Sequence, residues 1–293
     1  MPQSTREIRR RIKSVKNIGQ ITKAMELVSA SKMRKAQSAA ASSRPYSQLS
    51  SELLTNLLQK VSLHYHPLLK RVVPEYGKII PKHKALIILI SSDKGLAGSL
   101  NTNVIGKALK IAKEEKADQV DFLTLGKKAS EVVRRSGYNL VAVFPGKDRN
   151  ITVFDAKPIA KIAVDDFLNF TYDKVYVVYT NFISTLVQKP NMLQLLPLTE
   201  RSDNHTLDEY EFEPNRDEVL ENIIYRHIEF ALYQSLQEAA ASEHSARMVA
   251  MKNANQAAGD LIEDLTLSAN QARQAGITRE LSEISAAKIA MEG

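Results

Sequence analysis

Cysteine and tryptophan are both missing from the 293 residues. Without cysteine there is no disulfide framework, no zinc–thiolate or iron–sulfur site and no thiol switch. Long apolar runs are missing too. The longest, Ala85 to Ile90, falls far short of the ~20 residues of a membrane-spanning helix. The start, from Met1 to Ile8, has no apolar stretch of the kind a secretory signal carries. The expectation is a chain that is neither exported nor membrane-spanning, with a peripheral place on a membrane assembly left open.

Proline is scarce where it matters. Of ten prolines, one is Pro2 and the other nine fall between Pro45 and Pro214. Proline removes a backbone donor and clashes with the preceding turn, so the two proline-free ends read as long helices. Pro2 and Pro214 stand where a helix tolerates proline, in its first turn. A helix over 3–44 would be about 63 Å long and one over 215–293 about 118 Å, at ~1.5 Å per residue. Leu49, Leu53, Leu57 and Leu58 resume a helical pattern after Pro45, which predicts a kink rather than an end.

Apolar spacing predicts that these helices pair. Met248, Met251, Asn255, Ala258, Ile262, Leu265, Ala269 and Ala272 keep a 3-4 rhythm with one polar position, the pattern of a coiled-coil seam. Ile8, Ile12 and Val15, followed by Ile18, Ile21, Met25 and Val28, carry one extra three-residue step, a stammer. Alanine and serine along the seam predict close approach. Packing of two amphipathic helices on a larger core stays open at this point.

Charge is unevenly spread. The whole chain carries +7. Residues 1–35 hold ten Lys/Arg against two acids, and residues 214–293 hold seven against 12. Opposite signs favour pairing of the two ends, antiparallel because the insert returns the chain. The basic arm, with Arg6, Arg9, Arg10, Arg11, Lys13 and Lys16, leaves nucleic acid, an anionic membrane surface and acidic protein partners all open. No base-reading motif accompanies it.

Between the ends, strands and helices alternate. Strands are predicted at Lys84–Ser91, Gln119–Leu125, Asn139–Phe144, Lys174–Thr180 and Met192–Leu198, and helices over 102–116, 127–136 and 157–169. The continuous apolar run of the first strand marks it as buried on both faces. The expected fold is α/β plus a long coiled coil: an antiparallel coiled coil of the N- and C-terminal helices with an inserted Rossmann-like α/β domain. The domains are placed at 1–60, 61–213 and 214–293.

Few motifs carry chemistry. Ser91 to Asn101 (SSDKGLAGSLN) follows a strand and precedes a helix, where α/β folds place phosphate loops. It matches neither GxxxxGK[ST] nor GxGxxG. A nucleotide-binding loop around Gly95 and Gly98 and a tight turn capped by Asn101 or Thr102 both remain. His64-Tyr65-His66, and His227 with His244, lack the spacing of a metal site. No GxSxG elbow is present. Asp165-Asp166 and Asp260/Glu263/Asp264 read as solvated or ion-paired helix faces. No cofactor and no catalytic residue is expected.

The two ends also carry words. Ile21 to Ala36 (ITKAMELVSASKMRKA) closely resembles the N-terminal signature of the gamma subunit of F-type ATP synthases. Ser92 to Asn101 resembles that family's internal motif, in which cysteine is common at the place of Ala97. Ser242 to Ala254, Gly259 to Leu265 and Ala272 to Leu281 resemble its C-terminal signature. Ala269 stands where the family often has tyrosine, and the cysteine-bearing insert of the chloroplast type is absent. The resemblance implies a non-catalytic central-stalk rotor subunit that couples proton-driven c-ring rotation to ATP synthesis or hydrolysis. The partners it implies are the alpha and beta subunits of a catalytic hexamer, the epsilon subunit and the c-ring, with no nucleic acid. The location it implies is the cytoplasmic face of a bacterial plasma membrane. By residue-wise carry-over it implies coupling contacts at Lys23, Met25, Arg34, Arg247, Arg273, Gln274, Thr278 and Glu280.

Overall fold

The computed structural model describes residues 5–60, 67–69, 83–115, 117–147, 151–198, 213 and 216–292. Pro2, Pro214 and the His64-Tyr65-His66 run lie outside the described residues. The elements in order are α1 (Thr5–Lys60), β1 (Lys84–Ile90), α2 (Leu100–Glu114), β2 (Gln119–Leu125), α3 (Lys127–Arg135), β3 (Asn139–Phe144), α4 (Val153–Leu168), β4 (Lys174–Phe182), β5 (Gln188–Leu196) and α5 (Arg216–Glu292). They fall into two compact units, residues 1–29 with 248–293, and residues 30–247.

The first unit is a helix pair. A Cβ added to Gly19 would stand 3.6 Å from Ala258 Cβ and 3.7 Å from Asn255 Oδ1. At that register an antiparallel pair sets Ile8 level with Ala269, Ile12 with Leu265, Val15 with Ile262, Thr22 with Asn255 and Ser29 with Met248. None of these positions is exposed. The seam expected on α5 is therefore present. The one expected on α1 holds at Ile8, Ile12 and Val15 but not beyond: Ile18, Ile21 and Val28 are each more than half exposed, while Thr22 and Ser29 are buried. The α1 seam keeps an unbroken 3-4 rhythm through Gly19, Thr22 and Ser29, with no stammer. From Gly19 to Ser29 small side chains let the backbones approach, and Ile18, Ile21 and Val28 are turned outward. From Ile277 on, every α5 side chain described is exposed.

The second unit is built on one sheet of order β3-β2-β1-β4-β5. β1 pairs in parallel with β2 and β4, β2 pairs in parallel with β3, and β5 is an antiparallel edge beside β4. The apolar β1 is central and buried on both faces, as its sequence predicted. On one face Leu86, Ile88 and Ile90 pack with Ile159, Ala163 and Phe167 of α4 and Ile224, Ile228 and Leu232 of α5, joined by Leu54 of α1. On the other face Ile87 and Leu89 pack with Val104 and Ala108 of α2 and Val133 of α3.

α1 and α5 also meet inside this unit. The Ser43 hydroxyl donates to Gln234 Oε1 at 2.6 Å, and the rings of Tyr46 and Phe230 lie 4.1 Å apart. α1 runs through Pro45 to Lys60, as the leucine spacing predicted. Proline has no N–H for the preceding turn. Just ahead of it, the hydroxyls of Ser42 and Ser43 donate to the carbonyls of Ala39 and Ala40. α4 begins at Val153, earlier than its expected start at residue 157. The signal missed was the Thr152/Asp155 spacing: Thr152 N donates to Asp155 Oδ2 at 2.9 Å, fixing the helix start.

Candidate functional site

The chemistry-bearing residues gather at the carboxyl end of the sheet. β1 lies between β2 and β4, so the chain leaving β1 turns one way and later returns on its other side. In open α/β sheets that switch point is where ligands bind. The loop that follows β1 is the Gly95/Gly98 segment singled out in the sequence.

Its polar groups are engaged within the chain. Asp93 Oδ1 accepts from Lys127 N at 2.9 Å and from Gly146 N at 3.2 Å. Lys127 opens α3, and a helix N-terminus attracts an anion through its free N–H groups and dipole. Here the chain's own carboxylate fills that place. Asn101 does not cap α2: its Oδ1 accepts from Ser92 N, and its Nδ2 donates to Ser92 Oγ at 2.7 Å. α2 begins after Ser99 instead. Gly126, with φ 93°, packs against β1 so tightly that a Cβ would lie 2.2 Å from Ser91 O. At the tip of the loop, Leu96 takes the left-handed φ of 63° and is 62% exposed.

A cavity of about 190 Å³ opens beside this loop. Ile90, Leu125, Phe144, Ile159, Leu236 and Ala240 make its apolar wall, with Lys147, Asp155 and Glu243 among its polar residues. Lys147 pairs with Asp155 and Glu243 with Arg247 at 2.7 Å. Burial works against the Asp155 carboxylate, but hydrogen bonds from Lys147 and Thr152 outweigh it and hold its pKa below the usual range.

α5 passes this end of the sheet in an unusual state. No residue from Phe230 to Met251 is exposed, although the stretch includes Ser, Gln, Glu, His and Arg. A buried polar group must be hydrogen-bonded, and backbone oxygens supply much of that pairing. Gln237 Nε2 donates to Ile151 O at 3.0 Å, Ser242 Oγ to Thr180 O at 3.0 Å and Ser245 Oγ to Thr185 O at 2.7 Å. Arg247, 6% exposed, reaches the carbonyls of Lys94 and Gly95 at 3.3 Å. Ser242, Ser245 and Gln237 were not singled out in the sequence. The signal available was a run of small hydroxyl residues inside a helix, where they disfavour helix unless they find a partner.

The eight residues carried over from the family resemblance do not form one cluster. Arg247 lies on the Gly95 loop. Arg34 is exposed, its Nε donating to Ala30 O at 3.4 Å. Lys23 pairs with Glu26 at 3.1 Å beside a half-buried Met25. Arg273, Gln274, Thr278 and Glu280 are exposed on α5. On the helix-pair register Lys23 falls level with Ala254, about 28 Å of helix away from Arg273.

His227 Nδ1 lies 3.4 Å from Ser50 Oγ, and His244 is buried. Among the described residues no group of three His, Asp or Glu is placed to hold a metal ion. Asp260, Glu263 and Asp264 are exposed. Burial, then the neighbouring Asp165 charge, raises the pKa of Asp166. The basic residues from Arg6 to Lys16 all face solvent.

Two long terminal helices flank a mixed α/β sheet whose loop after β1 is held by the chain's own polar groups. The family model described as ATP synthase matches residues 4–291, and the chain belongs to that family, as an ATP synthase gamma chain. The ATP synthase gamma chain of Pelotomaculum thermopropionicum is 43% identical over 291 residues, covering 99% of each chain. That of Stenotrophomonas maltophilia strain R551-3 is 44% identical over 285 residues, 96% of this chain and 97% of the relative. Among solved structures, a chain of the Euglena gracilis mitochondrial ATP synthase (OSCP/F1/c-ring) is similar in fold with a TM-score of 0.69. It is 19% identical and covers 98% of this chain and 94% of that one. A chain of the rotor of the same enzyme gives 0.64 at 17% identity, covering 93% and 98%.

Proposed function

We propose that the chain is the central-stalk rotor subunit of an F-type ATP synthase. It turns within a hexamer of alternating alpha and beta subunits, which carry the catalytic sites. Proton flow turns the c-ring, the stalk follows, and its changing contacts shift each catalytic site between states of different affinity. A rotor can do so only by contacting those states unequally. The observation that carries this reading is the full-length identity to ATP synthase gamma chains.

Surface chemistry supports it. Ile18, Ile21 and Val28 on α1 and Ile277, Leu281 and Ile284 on α5 are exposed, and exposed apolar patches mark sites of protein contact. The exposed basic arm gives salt-screened attraction to acidic partner loops. Lys23, Met25, Arg34, Arg273, Gln274, Thr278 and Glu280 are proposed as coupling contacts, and Arg247 as a residue acting through the loop it holds. The epsilon subunit and the c-ring are the partners proposed for the sheet-bearing unit. No described helix is long and apolar enough to cross a membrane; the place proposed is peripheral, on the cytoplasmic face of a bacterial plasma membrane.

The test is reconstitution. The chain, mixed with alpha, beta and epsilon subunits of a related enzyme and returned to c-ring membranes, is expected to restore ATP-driven proton pumping. Failure to join the hexamer, together with tight duplex DNA binding at physiological salt, would overturn the reading in favour of a nucleic-acid-binding coiled coil.

A further inference from the structure

α5 is held to the sheet in two different ways. From Ile224 to Leu236 the hold is apolar. Such contact is strong but non-directional, and by itself it lets a helix roll or slide among neighbouring packings. From Gln237 to Arg247 the hold is by hydrogen bonds, which weaken steeply when their geometry is lost. Their anchors are separate: Thr180 in β4, Thr185 in the β4–β5 turn, and Lys94 and Gly95 in the loop after β1.

Their directions around the helix matter most. At about 100° per residue, Ser242 and Ser245 point about 60° apart, while Arg247 points about 160° away from Ser245. The helix is thus gripped from opposite sides, by groups donating to backbone oxygens rather than to mobile side chains. Ser242 and Ser245 are fully buried and Arg247 nearly so, so water does not readily replace these bonds. Glu243 Oε1, 2.7 Å from Arg247 Nη2 and one turn earlier, fixes the guanidinium.

We propose that Ser242, Ser245 and Arg247 form the joint through which turning force passes between α5 and the sheet. The assignment rests on the rotor reading and deepens it: these are positioning residues, in contact with no substrate. A helix pinned from two sides resists rolling in either sense, as a motor that runs in synthesis and in hydrolysis requires.

The experiment uses the assembled enzyme in vesicles, with the wild-type chain, Arg247→Ala, and the double variant Ser242→Ala/Ser245→Ala. ATP hydrolysis and proton pumping are measured together while an opposing proton gradient is raised. Without a gradient, the double variant Ser242→Ala/Ser245→Ala is expected to hydrolyse and pump within about twofold of wild type. Under load, protons pumped per ATP are expected to fall about fivefold for a lost hydrogen bond of ordinary strength. Arg247→Lys, which keeps the charge but not the fork, is expected to fall between. A merely structural role would lower the thermal transition and assembly yield but not the load dependence. Unchanged protons per ATP at every gradient in assembled variants overturns the joint while leaving the rotor intact. Loss of the thermal transition in both variant chains also overturns it, by making the contacts structural. Failure of the wild-type chain to assemble overturns the rotor reading first, and the joint with it.

Discussion

Gly126 lies at the point where β2 meets α3, and two independent constraints act on it. Its φ of 93° is one that side chains rarely adopt, and an added Cβ would meet Ser91 O at 2.2 Å. Gly126→Ala is expected to cost about 3 kcal/mol or more, read by denaturant unfolding of the full chain. Tyr172 gives a second residue-scale prediction. Its hydroxyl donates to the buried Asp121 Oδ2 at 2.9 Å, and burial, then that carboxylate, push its pKa far above the ordinary tyrosine value. The folded chain therefore keeps this proton to higher pH than the unfolded chain, which releases it near pH ~10. The resulting stability is complete below that pH and is lost as pH climbs beyond it. Tyr172→Phe is expected to cost about 1–3 kcal/mol at neutral pH, by leaving Asp121 short of a partner, and to flatten the alkaline fall. Thermal unfolding across pH 8 to ~11 measures both effects. Neither residue was legible in the sequence, since a lone glycine and a lone tyrosine carry no signal until the strands are paired.

At the scale of the element, the seam of α1 separates what composition says from what packing needs. Counting apolar residues points to Ile18, Ile21 and Val28, and the helix turns those outward. The error has a cause: hydrophobicity does not distinguish a face buried in its own chain from one made for a partner. The α5 seam was legible because that helix buries its regular apolar repeat. The strands and the burial of β1 were legible for a similar reason, as alternation and a continuous apolar run have few structural solutions. The antiparallel β5 was not, because its edge position is set by pairing with β4. Gly19 supplies the prediction here. Gly19→Ala would place its Cβ in ordinary contact with Ala258 and Asn255 and would restrict the unfolded chain, so stability is expected to rise by about 0.5–1 kcal/mol. Gly19→Leu overfills the same gap, and a loss of about 1–3 kcal/mol is expected. The two melting shifts, opposite in sign, check the register.

For the whole molecule, the rotor reading makes Met25 a place where assembly and coupling separate. Met25→Lys adds a charge beside Lys23 on a half-buried position. The complex is expected to form and hydrolyse ATP while pumping fewer protons per ATP, and an unchanged yield would remove Met25 from the coupling set. The terminal signatures made the family readable, but their division of labour was not. Arg247 sits in the same signature run as Met248 and Met251, yet its guanidinium serves the sheet and their side chains serve the seam. The encasement of α5 also has a consequence for biosynthesis. The sheet's core draws on Leu54 from near the start of the chain and on Ile224 to Leu236 from near its end. Every strand leaves the ribosome before the helix that fills its open face. A nascent chain stopped after β5 would expose that face to solvent and to other unfinished chains, a state prone to aggregation. The core of this subunit is therefore completed only once α5 has left the ribosome.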